Sequence, residues 1–151
     1  MQDIHIQHGK YVITTDKSIM QLSEIHQWLS TEAYWSKGVP YAIVAQAFHH
    51  SFCIGVICEG HQVGYARLTT DYAVFGYLAD VYIHQAHRGQ GLSKLMMKTL
   101  MELDWVKGLR VIMLATQDAQ GLYSKFGFSA PEHPERIMQI RRTDIYSKPN
   151  T

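Results

Sequence analysis

The 151-residue sequence has only two cysteines, Cys53 and Cys58. That is too few for a disulfide-built secreted scaffold. Both fall in one apolar run that reads as a strand, where their odd spacing sends them to opposite faces. They are expected to be buried, reduced thiols. Neither charge dominates: 14 Lys+Arg stand against 13 Asp+Glu, a formal net charge of +1. That balance excludes the broad basic surface of a general nucleic-acid binder, so no nucleic-acid partner is expected. No apolar run approaches the length of about 18 residues that a membrane span needs, so no membrane partner is expected either. The opening Met1-Gln2-Asp3-Ile4-His5 carries neither the basic segment nor the apolar segment of a signal peptide. The expected location is therefore cytoplasmic. Repeats, low-complexity tracts and linker-like stretches are also missing. At about 100–200 residues per domain, the chain has room for one domain, with a core over about 10–141 and a loose tail over 142–151. Nine histidines are scattered without an H-x-H, an H-E-x-x-H or a Cys/His pairing. No metal is expected.

What is present is a folding pattern. Hydrophobic residues make up 46% of the chain and charged residues 18%, enough to bury one sizeable core. Tyr11–Thr15 is a β-branched run and reads as a first strand. Ile19, Leu22, Ile25 and Leu29 fall on one helical face, with Asp16 or Ser18 as the cap. Gly38-Val39-Pro40 breaks the chain before a second helix. Phe52–Cys58 and Val63–Thr69 form a hairpin across Glu59-Gly60-His61, and Tyr77–Ile83 is the next strand. Leu92, Leu95, Met96, Leu100 and Leu103 mark one face of a helix ending near Gly108. Val111–Ala115 then reads as a short buried strand, Gln117–Phe126 as a helix, and Arg136–Ile140 as a last strand. Hairpins followed by a crossover imply an α/β fold of the α+β type, a central mixed sheet with helices on both faces.

The segment that carries chemistry is Tyr82-Ile83-His84-Gln85-Ala86-His87-Arg88-Gly89-Gln90-Gly91-Leu92-Ser93. A strand ends, a glycine-bearing loop follows, and a long helix begins. The first amides of a helix lack intrahelical partners and the dipole there is positive. Glycines let that backbone approach an anion closely. Such a turn binds phosphate or diphosphate. Arg88 adds a permanent cation and Ser93 a hydroxyl. The plain alternative is a strand–turn–helix in which glycine serves only the turn. The segment is not a P-loop, because no Gly-Lys-Ser/Thr follows. It is not a dinucleotide fingerprint either, because the third glycine is missing and the preceding strands are hairpins.

Arg88-Gly89-Gln90-Gly91-Leu92-Ser93 resembles the Arg/Gln-x-x-Gly-x-Gly/Ala loop of the GNAT superfamily of acyl-coenzyme-A-dependent N-acetyltransferases, with Ser93 at the last position. Ala119-Gln120-Gly121-Leu122-Tyr123-Ser124-Lys125-Phe126-Gly127-Phe128 is similar to that family's Ala-x-x-Leu-Tyr-x-Lys-x-Gly-Phe segment. The Asn that often stands three residues before its Ala is Thr116 here. The two motifs come in the expected order, and the resemblance covers residues 10–141. More loosely, Tyr77–Ile83 and Met113–Thr116 look like a small stand-alone bacterial GNAT subgroup.

The resemblance implies a GNAT-like fold with splayed strands, acetyl-coenzyme A (acetyl-CoA) as acyl donor, and a small-molecule amine as acceptor. The backbone of Arg88, Gly89, Gln90, Gly91, Leu92 and Ser93 would hold the diphosphate, with Thr116 also on the cofactor side. The backbone of Val81 and Ile83 would bind the pantetheine arm. Tyr123 matches the general acid, and Asp80 is the first candidate for the base, with Tyr77 or His84 acting through water as others. Asp80 has the opposite strand parity to Val81 and Ile83, so it faces the cleft only if a bulge intervenes. Glu32, Tyr34, Trp35, Tyr41 and Tyr77 are candidates for the acceptor pocket. The alternatives are a non-catalytic acyl-CoA-binding module and an enzyme acting on a peptide N-terminus. A homodimer is among the assemblies the resemblance allows.

Overall fold

A computed structural model describes residues 1–147. Six strands form one sheet in sequence order: β1 (His5–His8), β2 (Tyr11–Thr14), β3 (Phe52–Cys58), β4 (His61–Thr70), β5 (Phe75–Ile83) and β6 (Val111–Met113). Neighbours are antiparallel except β5 and β6, which run parallel. A parallel pair needs a crossover, and α3 (Leu92–Met101) and α4 (Asp104–Lys107) supply it. On the opposite face lie α1 (Leu22–Thr31) and α2 (Tyr41–His49), and α5 (Gln120–Ser124) follows β6.

The sheet separates two cores. Ile13, Ile54, Val56 and Leu68 pack with Leu92, Met96, Met97 and Leu100 of α3. Cys53, Tyr65 and Tyr82 pack instead with Ile25, Trp28 and Leu29 of α1 and with Val44 and Phe48 of α2. Each fully buried aliphatic side chain contributes about 1.5–3 kcal/mol relative to exposure. Cys53 and Cys58 lie in different cores, on opposite sides of β3, and both are free thiols. Gly64 is pinned between strands. An added Cβ would stand 2.8 Å from Ile83 Cδ1 and 2.9 Å from Val56 Cγ2.

Several elements differ from the sequence expectation. β1 is an additional strand; its His-Ile-Gln-His is exposed throughout, so no apolar alternation marks it. The long helix stops at Met101 and restarts at Asp104, because Leu103 turns to extended backbone with φ −64° and ψ 132°. β6 and α5 are shorter than the runs Val111–Ala115 and Gln117–Phe126. Arg136–Ile140 forms no strand. A 3-10 turn over Pro134–Arg136 leads into it, and Met138 and Ile140 are 93% and 84% exposed. Strand propensity needs a partner edge to act on, and β6 is only three residues long. The tail is partly ordered: Ile145 and Ser147 close turns onto Arg142 and Asp144, and the Tyr146 carbonyl lies against Gly38. The rest of that tail, 148–151, lies outside the described residues.

The β4–β5 turn is held by Asp71, whose Oδ1 accepts from the amides of Ala73, Val74 and Phe75 at 2.8–3.1 Å. The Val74, Phe75 and Ala73 amides pull its carboxyl down to about 2. A lowered carboxyl stabilises the fold above its ordinary range, and that contribution fades as pH falls through about 2. An NMR titration of the Asp71 carboxyl should therefore show a midpoint near that value, against an ordinary carboxylate near 3.8. Gly64→Ala should cost about 1–3 kcal/mol in a denaturant melt, the usual penalty for overpacking.

Candidate active site

β5 and β6 pair only over Phe75–Tyr77 and Val111–Met113. Beyond that point the strands part, and the β6-facing edge of β5 has no partner strand. An unpaired strand edge is a row of amides and carbonyls ready for an extended ligand. The gap between the strands is a hollow of about 660 Å³ bordered by Leu78–Val81 on one side and Leu114–Ala119 on the other. A second hollow of about 330 Å³ lies past the end of β5, bordered by Ile83, Arg88, Gly89, Gly91, Leu92 and Ser93. Val81 and Ile83 of β5 border the first and second hollow respectively, as do Tyr123 and Leu122 of α5. One elongated molecule can therefore engage both.

The smaller hollow is built from backbone. Gly89 (φ 79°) and Gly91 (φ 74°) adopt the left-handed conformation that favours glycine, and an added Cβ on either would meet open space. No side chain caps α3; its first backbone bond inside the helix end is Leu95 N–H to Gly91 C=O. Among the described residues, the amides of residues 89–94 donate to no protein acceptor. An unpartnered run of amides at a glycine turn fits a diphosphate. Arg88 is different. Its amide donates to Gln85 C=O at 3.3 Å, its Nε donates to Ile83 C=O at 2.8 Å, and its guanidinium lies over the Tyr82 ring. Arg88 thus braces the loop with its side chain. Gln90 does not border the hollow.

The larger hollow is built from side chains. The β4–β5 register shifts so that Tyr65 faces Tyr82 and Arg67 faces Ala79. Asp80 and Val81 together oppose the single residue Ala66, a β-bulge, and Asp80 takes φ 55°. The bulge resets the parity of β5, so Leu78, Val81 and Ile83 all pack on the α3 side. Asp80 lies on the other face, toward Arg67 and the α1–α2 connection, and borders the hollow from there. Its Oδ2 accepts from Arg67 Nε at 2.6 Å and its Oδ1 from Trp35 Nε1 at 2.9 Å. Arg67 also donates to Ser51 Oγ and Thr69 Oγ1. Burial works against the Arg67 charge, but the charge and hydrogen bond of Asp80, with Tyr65 and Cys53 nearby, together more than offset it, so its pKa is raised.

Tyr123 borders the same hollow and is 8% exposed. Its hydroxyl has no protein hydrogen bond among the described residues, and Trp105 Nε1 is the only side-chain polar atom there that is both sealed and unpartnered. The phenol therefore opens to the cavity. Burial, then the neighbouring Tyr34 and Asp118, push its pKa above the ordinary 10. Thr116 Oγ1 accepts from Ala119 N–H at 3.1 Å at the entry to α5 and keeps its own proton to donate.

The chain between α1 and α2 crosses the cleft. Trp35 is tied to Asp80 on the β5 side, and Tyr34 Oη accepts from Gln117 N–H at 3.2 Å on the β6 side. Tyr34, Trp35 and Tyr77 border the hollow; Glu32 and Tyr41 do not. Glu32 instead accepts a hydrogen bond from Tyr82 Oη, whose ring stacks on Trp28, and Tyr41 packs edge-on against His26. Nor does His84 border it. Its ring accepts from Ala86 N–H. Arg67, Asp118 and Arg141 also border the hollow. Arg67 carried a signal in the sequence, as a charge inside an apolar strand; Arg141 carried none. Among the described residues there is no group of three His, Cys, Asp or Glu able to hold a metal ion. No helix there is long and apolar enough to cross a membrane.

A strand edge laid open beside a run of unpartnered amides can take an elongated ligand that carries a phosphate group, and sequence comparison gives the class. The acetyltransferase (GNAT) family pattern matches residues 22–128, and the chain belongs to that family. A GNAT-family protein of Xanthomonas campestris is 40% identical, and its crystal structure superposes with a TM-score of 0.89 over 91% of this chain and 97% of that one. A Gibberella zeae protein named "Putative acetyltransferase FG08082" is 34% identical over 137 residues, 78% of this chain and 77% of its own. The glucosamine 6-phosphate N-acetyltransferase of Trypanosoma brucei is 27% identical over 96 residues, 63% of this chain and 65% of its own. The protein is thus similar to acetyltransferases, and its family uses acetyl-CoA.

Gly91→Glu should abolish coenzyme A binding in titration calorimetry. In the free protein an added Cβ at Gly91 meets no atom within 4 Å. The carboxylate then occupies the space an anion needs, and the cost to stability should stay near 1 kcal/mol for a non-glycine residue at positive φ.

Proposed function

We propose that the protein transfers the acetyl group of acetyl-CoA directly to the primary amine of a small molecule, with donor and acceptor bound together. The observation that carries this reading is the open β5 edge running between an amide cradle and a cleft into which the unbonded Tyr123 hydroxyl opens. Bound acetyl-CoA supplies an activated thioester. The amides of residues 89–93 and the Ser93 hydroxyl hold its diphosphate, and the Val81 and Ile83 backbone aligns its arm along β5. Val81 N–H donates to the carbonyl oxygen as charge develops there. Tyr123 donates its proton to the departing sulfur. A phenol raised above 10 stays protonated throughout the neutral range and is available for that donation.

An alkyl ammonium is protonated at neutral pH, with a pKa of about 10.4 for lysine, so the acceptor must lose a proton before attack. Asp80 presents a fixed carboxylate toward the incoming ammonium, and its lone pairs beyond those taken by Arg67 and Trp35 remain open to it or to water. The aromatic rings of Tyr34, Trp35 and Tyr77 wall the acceptor side. The relative that acetylates an amino sugar supports an amine as the acceptor. The Tyr34–Gln117 bridge over the cleft favours a small acceptor over a peptide. A binding module without turnover has no use for the free Tyr123 hydroxyl.

Tyr123→Phe should lower kcat by about 10²–10⁴-fold, the range for a lost general acid, with the coenzyme A Kd nearly unchanged. An equal rate in the variant removes Tyr123 as the proton donor. In the wild type, kcat should climb with pH as the amine deprotonates, and any alkaline decline set by Tyr123 should have its midpoint above the ordinary phenol value of 10. A rate profile over pH 6 to 10 checks this.

A further inference from the structure

Four charged side chains border the larger hollow: Arg67, Asp80, Asp118 and Arg141. Arg67 and Asp80 neutralise one another. Asp118 stands toward Tyr123, where its charge is felt by the phenol. Arg141 is left over: among the described residues it makes no ion pair and no hydrogen bond. Arg141 is solvent-exposed and borders the hollow. The turns over residues 142–147 set the Tyr146 carbonyl against Gly38, in the same connection that supplies Tyr34 and Trp35, and so keep the tail beside the cleft.

A guanidinium offers five donors in a planar fork that matches the oxygens of a carboxylate or phosphate. The diphosphate cradle is a separate hollow, and Arg141 does not border it. The anion Arg141 can serve therefore belongs to whatever fills the larger hollow. We propose that the acceptor is an amine that also bears an anionic oxygen group, a carboxylate or a phosphate, and that Arg141 binds that group. The inference rests on the acetyl-transfer reading and specifies its acceptor. The ammonium end meets Asp80, the anionic end meets Arg141, and the aromatic rings flank the body between them.

The test uses matched primary amines: tyramine against tyrosine, and ethanolamine against O-phosphoethanolamine. Coenzyme A release is followed in wild type, Arg141→Ala and Arg141→Lys. The expected result is a higher wild-type kcat/KM for the anionic member of at least one pair, the pair telling carboxylate from phosphate. Arg141→Ala should raise the KM of that member by about tenfold, the loss of one charge-assisted hydrogen bond. The KM for acetyl-CoA and for the neutral partner should move far less, and Arg141→Lys should restore part of the loss. Preference for the neutral amine in both pairs overturns the proposal. So does an equal KM change for both members of a pair, or a matching rise in the acetyl-CoA KM. Absence of turnover with every amine would count against acetyl transfer, and calorimetry on the coenzyme-A-saturated protein then decides the recognition claim separately. An anionic amine that binds wild type and not Arg141→Ala upholds it; equal or absent binding to both overturns it.

Discussion

The site depends on a failure of pairing. β6 stays with β5 for three residues and then leaves it. A backbone edge inside a folded protein is costly to leave without partners, since each unmet amide or carbonyl forfeits its hydrogen bond. Everything near the gap is arranged around that exposed edge. α3 begins where the edge ends, α5 flanks both hollows, and the connection between the first two helices bridges the strands from above. A sheet closed to the end of β5 would leave neither cleft nor cradle access.

The bulge at Asp80 is the second constraint. A strand has two faces, and a regular β5 would put Leu78 on the face opposite Val81 and Ile83. One extra residue in the left-handed conformation lets both hydrophobic stretches of the strand face α3, while the carboxylate lies on the other face. Aspartate tolerates that conformation better than most residues with a side chain. Arg67 and Trp35 then hold the carboxylate from two directions. The same residue thus ties sheet geometry, the connection between α1 and α2, and cleft charge together.

Much of this was legible in the sequence because the relevant signals are local. Phe52–Cys58 is an apolar strand bounded by a turn, and Leu92, Met96 and Leu100 repeat at helical spacing. Gly89 and Gly91 mark the cradle because their function is conformational. What stayed hidden is relational. β1 has no buried face to announce it, and the bulge exists only as a register between two strands. Arg136–Ile140 has strand-like composition, but no edge receives it. Glu32 and Tyr41 lie close in sequence to the bridging residues Tyr34 and Trp35, yet Tyr82 and His26 claim their side chains. Arg141 borders the cleft on a tail kept there by turns that no periodicity encodes.

The placement of the two cysteines has a practical consequence. Cys53 and Cys58 are 1% and 6% exposed, with the sheet between them, and burial raises the Cys53 thiol further from its reactive thiolate form. The native protein therefore presents almost no sulfhydryl to a chromogenic disulfide dye. Colour developing in such an assay reports the sulfur freed by turnover against a nearly blank background, and it becomes a measure of unfolding only when the protein comes apart.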